Sequence, residues 1–86
     1  MKNYRIYAEY NGRLELVDGN INQDNVVLYL DWLIIKEELP VVIVIEHDFE
    51  QDMDSVVYGY YGKIDTYLEM RGNALGGNYD KKSVRI

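Results

Sequence analysis

An alternating acidic segment is the part of this 86-residue chain that most suggests chemistry. Every even position from 46 to 54 carries a carboxylate: Glu46, Asp48, Glu50, Asp52 and Asp54. In an extended chain all five would point to one side, roughly 6.6–7 Å apart. Neighbouring phosphates of one DNA strand have a similar separation, roughly twice their axial rise. The spacing therefore indicates imitation of a phosphate strand or docking into a basic protein groove. The alternative is a solvated connection between strands.

The same carboxylates are typical ligands of divalent cations, but the calcium-loop pattern is broken. A loop starting at Asp48 places Met53 at position 6, where Gly is required, and Gly59 at position 12, where Glu is required. His47 lies between carboxylates, yet no nucleophile or metal partner is recognisable beside it. We therefore predict no metal, no cofactor and no catalytic residue, and a protein that is not an enzyme.

Tyrosine is the second unusual feature, with nine residues in the chain. If residues 54–71 form a hairpin, one of its faces combines aromatic rings with carboxylates: Tyr58, Tyr60, Asp65, Tyr67 and Glu69. Tyrosine offers rigid contact area with a polar tip, and an acidic tyrosine-rich surface suits partners rich in Arg and Lys. The alternative is that this face packs under a helix.

The overall charge narrows the choice of partner. Fifteen acidic and nine basic side chains give a formal net charge of −6. This charge disfavours nucleic acid and anionic membranes as direct ligands, because both are bound through Lys and Arg. It favours basic protein surfaces, which an acidic field attracts over distance. The chain has no Cys, which excludes a disulfide framework, and we expect a cytoplasmic protein.

The first element that must position these residues is a hairpin over residues 4–17. Asn-Gly at its centre favours a three-residue loop, residues 10–12, with Gly12 in the left-handed region. That register pairs Ala8 with Leu14 on one face and leaves the charged residues on the other.

A helix is predicted over residues 22–38, ending before Pro40. It carries two apolar stripes, where a surface helix needs only one. The first stripe is Val27, Leu30 and Ile34, and the second is Leu28, Trp32, Ile35 and Leu39. Either both stripes are buried, or the second stripe meets a partner or a second copy of the chain.

The remaining chain supplies strands. Residues 41–45 are continuously apolar, which is typical of a central strand covered on both faces. Residues 54–71 fit either a helix or a hairpin turning at Gly62, and the hairpin is favoured because a helix would contain two glycines. Residues 72–80 read as a flexible loop, and residues 83–86 as a short strand or loose tail.

These elements predict an α+β fold with a single domain over residues 1–86, in which residues 73–86 are a flexible loop and tail. The order hairpin, helix, strand, hairpin gives an antiparallel or mixed sheet with one main helix on one face. The order of its first half resembles that of a β-grasp domain.

In size, acidity and lack of a catalytic motif, the chain resembles phage-encoded inhibitors of host defence, such as anti-CRISPR and anti-restriction proteins. The leading hypothesis is a non-enzymatic, DNA-mimic-like binding protein that blocks a basic, nucleic-acid-binding surface of a partner in the host cytoplasm. The alternating carboxylates and the tyrosine-rich face would supply the contacts. An antitoxin or immunity protein is a close variant. The alternative is a structural or assembly protein that forms a homodimer through the Trp32 stripe.

Overall fold

The computed structural model describes residues 2–74, which form a four-stranded antiparallel sheet with its helices on one face. The strands are Lys2–Tyr10 (β1), Arg13–Ile21 (β2), Val42–Asp48 (β3) and Met53–Tyr60 (β4), in the order β2-β1-β3-β4. The helices are Gln23–Leu30 (α1), its π-helical continuation Asp31–Lys36 (the π segment) and Ile64–Ala74 (α2). The predicted small α+β domain is confirmed.

The core lies between the helices and one face of the sheet. The central strands β1 and β3 contribute four side chains that are at most 1% exposed: Ile6, Ala8, Val42 and Val44. The helices contribute Leu30, Leu33, Ile34, Tyr67 and Leu68 to the same cluster. The Cα envelope is 16 Å thick along its shortest axis. That thickness fits one sheet layer and one helix layer.

The first hairpin forms as predicted, but its predicted register is wrong by one residue. Residues 11 and 12 both have positive φ, 54° and 80°, as a two-residue type I′ turn requires. Leu14 therefore lies opposite Glu9 and not Ala8. Because side chains alternate between faces, the shift places Leu14 and Leu16 on the sheet face away from the helices. There they are 55% and 53% exposed.

The predicted helix is also present, with local signals at both ends. The Asn22 side chain caps it by accepting a hydrogen bond from the backbone of Asp24 at 2.9 Å. At the other end Glu38 adopts a left-handed φ of 54°, and the Leu39 N–H donates to the Leu33 carbonyl at 3.0 Å. The π segment was not predicted.

The apolar strand over residues 41–45 is central, as predicted, but it is not covered on both faces. Val42 and Val44 are buried under the helices, whereas Ile43 and Ile45 are half-buried on the opposite face. The prediction failed because both helices of the described chain lie on the same side of the sheet.

The predicted hairpin over residues 54–71 is wrong, since the chain forms strand β4 and then helix α2. Gly59 lies in the strand and Gly62, with φ of 93°, lies in the connection. Neither glycine interrupts α2, so the propensity argument against a helix did not apply there. α2 continues to Ala74 and replaces the start of the predicted loop. The predictions for residues 75–86 lie outside the described residues.

Candidate protein-binding surfaces

The five alternating carboxylates do not follow one extended strand, because the chain reverses between β3 and β4. The side chain of Asp48 accepts hydrogen bonds from the backbone N–H groups of Glu50 at 2.9 Å and Gln51 at 3.4 Å. This Asx turn and the left-handed φ of Asp52, 51°, close the connection over residues 49–52. The expectation of five carboxylates pointing to one side is therefore wrong.

Glu46 is held on the side of the sheet that carries the core. Its carboxylate accepts a hydrogen bond from the Tyr4 hydroxyl at 2.9 Å and lies 3.5 Å from the ammonium group of Lys2. Burial, followed by this hydrogen bond, raises the pKa of Tyr4. The side chain of Glu46 is only 19% exposed, so it contributes little to an acidic outer surface.

Asp54 lies on the opposite face, between two basic groups. One carboxylate oxygen lies 2.7 Å from His47 Nδ1, and the other accepts a hydrogen bond from Arg5 Nη2 at 2.5 Å. The contact with His47, and then that with Arg5, lowers the pKa of Asp54. Within residues 2–74 no group of three or more His, Cys, Asp or Glu side chains is placed to hold a metal ion.

The connection between β3 and β4, together with the first residue of β4, forms a mixed apolar and acidic surface, here called the acidic tip. It consists of Phe49, Glu50, Asp52 and Met53. Phe49 and Met53 are each 54% exposed, and the side chain of Asp52 is 93% exposed. The Phe49 ring stands edge-on to His47, 4.6 Å between centroids, which holds the aromatic side chain against the sheet.

The tyrosines proposed as a contact face are mostly interior. Tyr60 is 7% exposed and Tyr67 is fully buried, and their rings meet edge-on at 6.2 Å between centroids. Burial raises the pKa of both hydroxyls and of Tyr58, which is half-buried. The interpretation as an exposed face is wrong, and the alternative of packing under a helix is observed. Asp65 and Glu69 are exposed on α2.

A carboxylate that the sequence analysis missed joins the π segment to α2. Asp31 accepts a hydrogen bond from the Tyr67 hydroxyl and two from Arg71, at 2.9 Å from Nε and 3.0 Å from Nη2. Tyr67 and Arg71 are four residues apart, so they share one face of a helix. If residues 64–71 had been predicted as a helix, this spacing would have indicated that Tyr67 and Arg71 can contact the same partner.

The Trp32 stripe is divided between two surfaces. Leu28 and Trp32 are 65% and 43% exposed, whereas Ile35 and Leu39 are half-buried and pack against the core. Ile35 and Leu39 also line a groove of about 800 Å³ between the end of the π segment and the start of α2. The stripe therefore does not form one continuous apolar surface.

A further set of apolar side chains that are exposed or half-buried lies on the sheet face away from the helices, here called the open sheet face. Its members are Tyr7, Leu14, Leu16, Ile43, Ile45, Val56 and Tyr61. Tyr7 lies between Leu16 and Ile43, and Ile45 lies opposite Val56. The Tyr61 ring rests over Gly59, where an added Cβ would lie 2.9 Å from it. Contiguous apolar exposure of this kind marks an interaction surface.

Comparison with known proteins identifies no relative from which a function could be inferred. No protein-family model, no curated protein and no solved structure matches the chain. In the part of the chain that the structure describes, no helix is both long and apolar enough to cross a membrane.

Proposed function

We propose that this protein is a non-enzymatic binding protein that occupies a basic, normally nucleic-acid-binding surface of a partner protein and blocks it. The observation that supports this proposal best is the acidic tip. It places two exposed apolar side chains and two carboxylates at the turn end of a paired hairpin. The proposal assigns the protein to the cytoplasm, together with its partner.

The distribution of charge supports a basic partner. Residues 2–74 contain fourteen acidic and six basic side chains. Three of the basic side chains lie in ion pairs with carboxylates, namely Lys2–Glu46, Arg5–Asp54 and Arg71–Asp31. Each pair removes one carboxylate together with one base, so an excess of eight carboxylates over bases (14 − 6) remains in residues 2–74, which speeds encounter with basic surfaces.

The tip has the composition of an interface centre with a charged rim. Phe49 and Met53 offer apolar area that can pack on the aliphatic stems of Lys and Arg, while Glu50 and Asp52, which lies 3.6 Å from His47, supply negative charge for the charged ends. Because β3 and β4 are paired up to Asp48 and Met53, the tip is presented on a stiff support. Little ordering entropy is then lost on binding.

The geometry favours docking by this tip over imitation of a continuous phosphate strand. Imitation would need all five alternating carboxylates on one side, but Glu46 and Asp54 lie on opposite faces of the sheet. Blocking of nucleic acid would then follow from occupying the same basic groove.

The experiment compares two variants that change the net charge equally. The tip variant is Glu50→Lys with Asp52→Asn, where Asn keeps a residue that tolerates the left-handed backbone. The control is Glu15→Lys with Glu37→Gln, at exposed positions on β2 and beyond the π segment. Each immobilised protein is exposed to lysate of the source or host cell, and bound proteins are identified by mass spectrometry at low and high salt.

We expect wild type and control to recover a nucleic-acid-binding protein that added DNA or RNA displaces, and the tip variant to recover at least tenfold less. Binding should weaken at high salt, because exposed charge pairs are screened. Equal recovery by the tip variant and the control, or a captured protein that nucleic acid does not displace, would contradict the proposal.

A further inference from the structure

The open sheet face is a second exposed surface, and it adjoins the acidic tip at His47, where Phe49 and Asp52 make contact. Within residues 2–74 both helices pack on the other side of the sheet, where the core lies. We propose that two copies of this chain meet through their open sheet faces and form a homodimer.

The exposure of apolar side chains on this face is unusually high for a surface that faces water. At the β4 edge Val56 is 64% exposed and Tyr61, which follows that strand, is 68% exposed, and at the opposite edge Leu14 and Leu16 of β2 are 55% and 53% exposed. A solvated sheet face normally alternates to polar residues. Here outward positions of β2, β3 and β4 carry aliphatic side chains instead. Covering the face therefore lowers the free energy, because apolar area is removed from water.

Charge on the open sheet face suits a second copy better than a basic partner. The charged residues on this side are Arg5, Glu9, His47 and Asp54, together with Asp52, which lies 3.6 Å from His47, and Arg5 pairs with Asp54 at 2.5 Å. One Arg against three carboxylates leaves an excess of two negative charges when His47 is neutral, which is less than the net charge of −6 of the whole chain. Two copies can meet there without bringing most of their excess carboxylates together, and a basic partner would find few of them to pair with.

The available area is near the lower limit for a specific dimer. Four strands about 4.8 Å apart, each contributing about seven residues at about 3.3 Å, give a face of roughly 450 Å². Two such faces bury roughly 900 Å², about a quarter less than the ~1,200 Å² at which standard interfaces begin, which is the area of a weak interface. We therefore expect dissociation in the micromolar range. The sheets would stack about 10 Å apart.

The alternative of joining edge to edge is disfavoured by the sheet itself. Both edge strands, β2 and β4, contain register shifts, near Val17 and at Val57. Bulges interrupt the row of unpaired backbone groups that a second sheet edge would need. We therefore infer that two copies meet through their open sheet faces and not through their sheet edges.

The test measures the oligomeric state by sedimentation equilibrium from about 5 to 500 μM. Leu16→Arg places a charge in the middle of the open sheet face. The matched control, Leu28→Arg, makes the same change at a residue that is 65% exposed on α1, within the Trp32 stripe. If circular dichroism shows that Leu16→Arg does not fold, Leu16→Thr takes its place, because Thr keeps strand propensity while removing apolar area.

We expect a dimer for wild type and Leu28→Arg, and at least tenfold weaker association for the variant at Leu16. Raising the salt concentration should strengthen the dimer, or leave it unchanged, because it screens repulsion between two acidic chains. Partner binding through the acidic tip should instead weaken as the salt concentration rises. The single tip variant Glu50→Lys, which leaves Asp52 and its contact with His47 unchanged, should therefore dimerise like wild type, so that the two proposals fail separately.

Three results would overturn the dimer. The first is a wild-type monomer at 500 μM, which would leave the open sheet face to a different protein. The second is unchanged association of the Leu16 variant. The third is dissociation by Leu28→Arg with retention by the Leu16 variant, which would move the contact to the Trp32 stripe.

Discussion

Replacing Tyr67 by Phe removes one hydroxyl from the contact between α2 and the π segment. The hydroxyl donates to Asp31, which also accepts two hydrogen bonds from Arg71. A hydrogen bond to a charged group contributes about 1.5–3 kcal/mol to stability. The Asp31 side chain is 32% exposed, so water can take the vacated position. We therefore expect Tyr67→Phe to lower the free energy of unfolding by about 1.5 kcal/mol at pH 7.

The same hydroxyl makes stability sensitive to alkaline pH. Burial and the Asp31 carboxylate raise the pKa of Tyr67 above its ordinary value of 10.0. The unfolded chain therefore releases this proton at a lower pH than the folded protein. The contribution is complete below pH 10 and is lost as the pH rises toward the folded pKa, by at most about 1.4 kcal/mol per pH unit. Phe cannot ionise, so the variant should lose stability less steeply between pH 10 and 12.

The assay is urea unfolding followed by circular dichroism, at pH 7 and in steps from pH 10 to 12. Tyr29→Phe is the matched control, because it removes a hydroxyl that donates to Asp18 at 2.6 Å in a more exposed contact. For the control we expect a smaller loss of stability at pH 7 and a smaller change in slope between pH 10 and 12. Equal losses in the two variants at pH 7, or identical alkaline slopes for Tyr67→Phe and wild type, would refute the assigned role of Tyr67.

Three further substitutions test local features, each by urea unfolding. Glu38→Gly should raise the free energy of unfolding by about 1 kcal/mol, because Glu38 has a φ of 54° that Gly adopts freely. Glu37→Gly is the control and should lower the free energy of unfolding. A more stable Glu37→Gly than Glu38→Gly would contradict this assignment. His47 lowers the pKa of Asp54 below 3.8. The contribution of Asp54 is thus present above pH 4 and lost as the pH falls further, so wild type should lose stability more steeply below pH 4 than Asp54→Asn; parallel curves would be inconsistent. Gly12→Ala should cost about 1 kcal/mol from its φ of 80° alone, since no atom lies within 4 Å of the added Cβ; a loss above about 3 kcal/mol would mean a collision.

The predictions that succeeded rest on signals that act over a few residues. The pair at positions 11–12 specified a turn, Asn22 specified the start of the helix, and Pro40 marked the region of its end. The apolar run over residues 41–45 specified a strand. Each signal is a backbone preference or a local hydrogen bond, so neighbouring residues suffice to recognise it.

The predictions that failed depend on contacts between distant residues. One residue of register decided whether Leu14 and Leu16 joined the core or the open sheet face. The prediction that the acidic side chains all point to one side failed because the Asx turn at Asp48 reverses the chain and β4 pairs with β3. No local pattern distinguishes an extended acidic strand from a hairpin, because both place carboxylates at alternate positions.

For this protein, the sequence by itself determined the α+β class, the acidic charge, the first turn and the limits of the long helix. Only the tertiary structure decided that residues 64–74 are helical, that Tyr67 is buried against Asp31, 36 residues away, and that one face of the sheet stays open. The physical reason is that charge and backbone preference belong to each residue and its neighbours. Burial and pairing depend instead on which distant residues supply the other side of the contact.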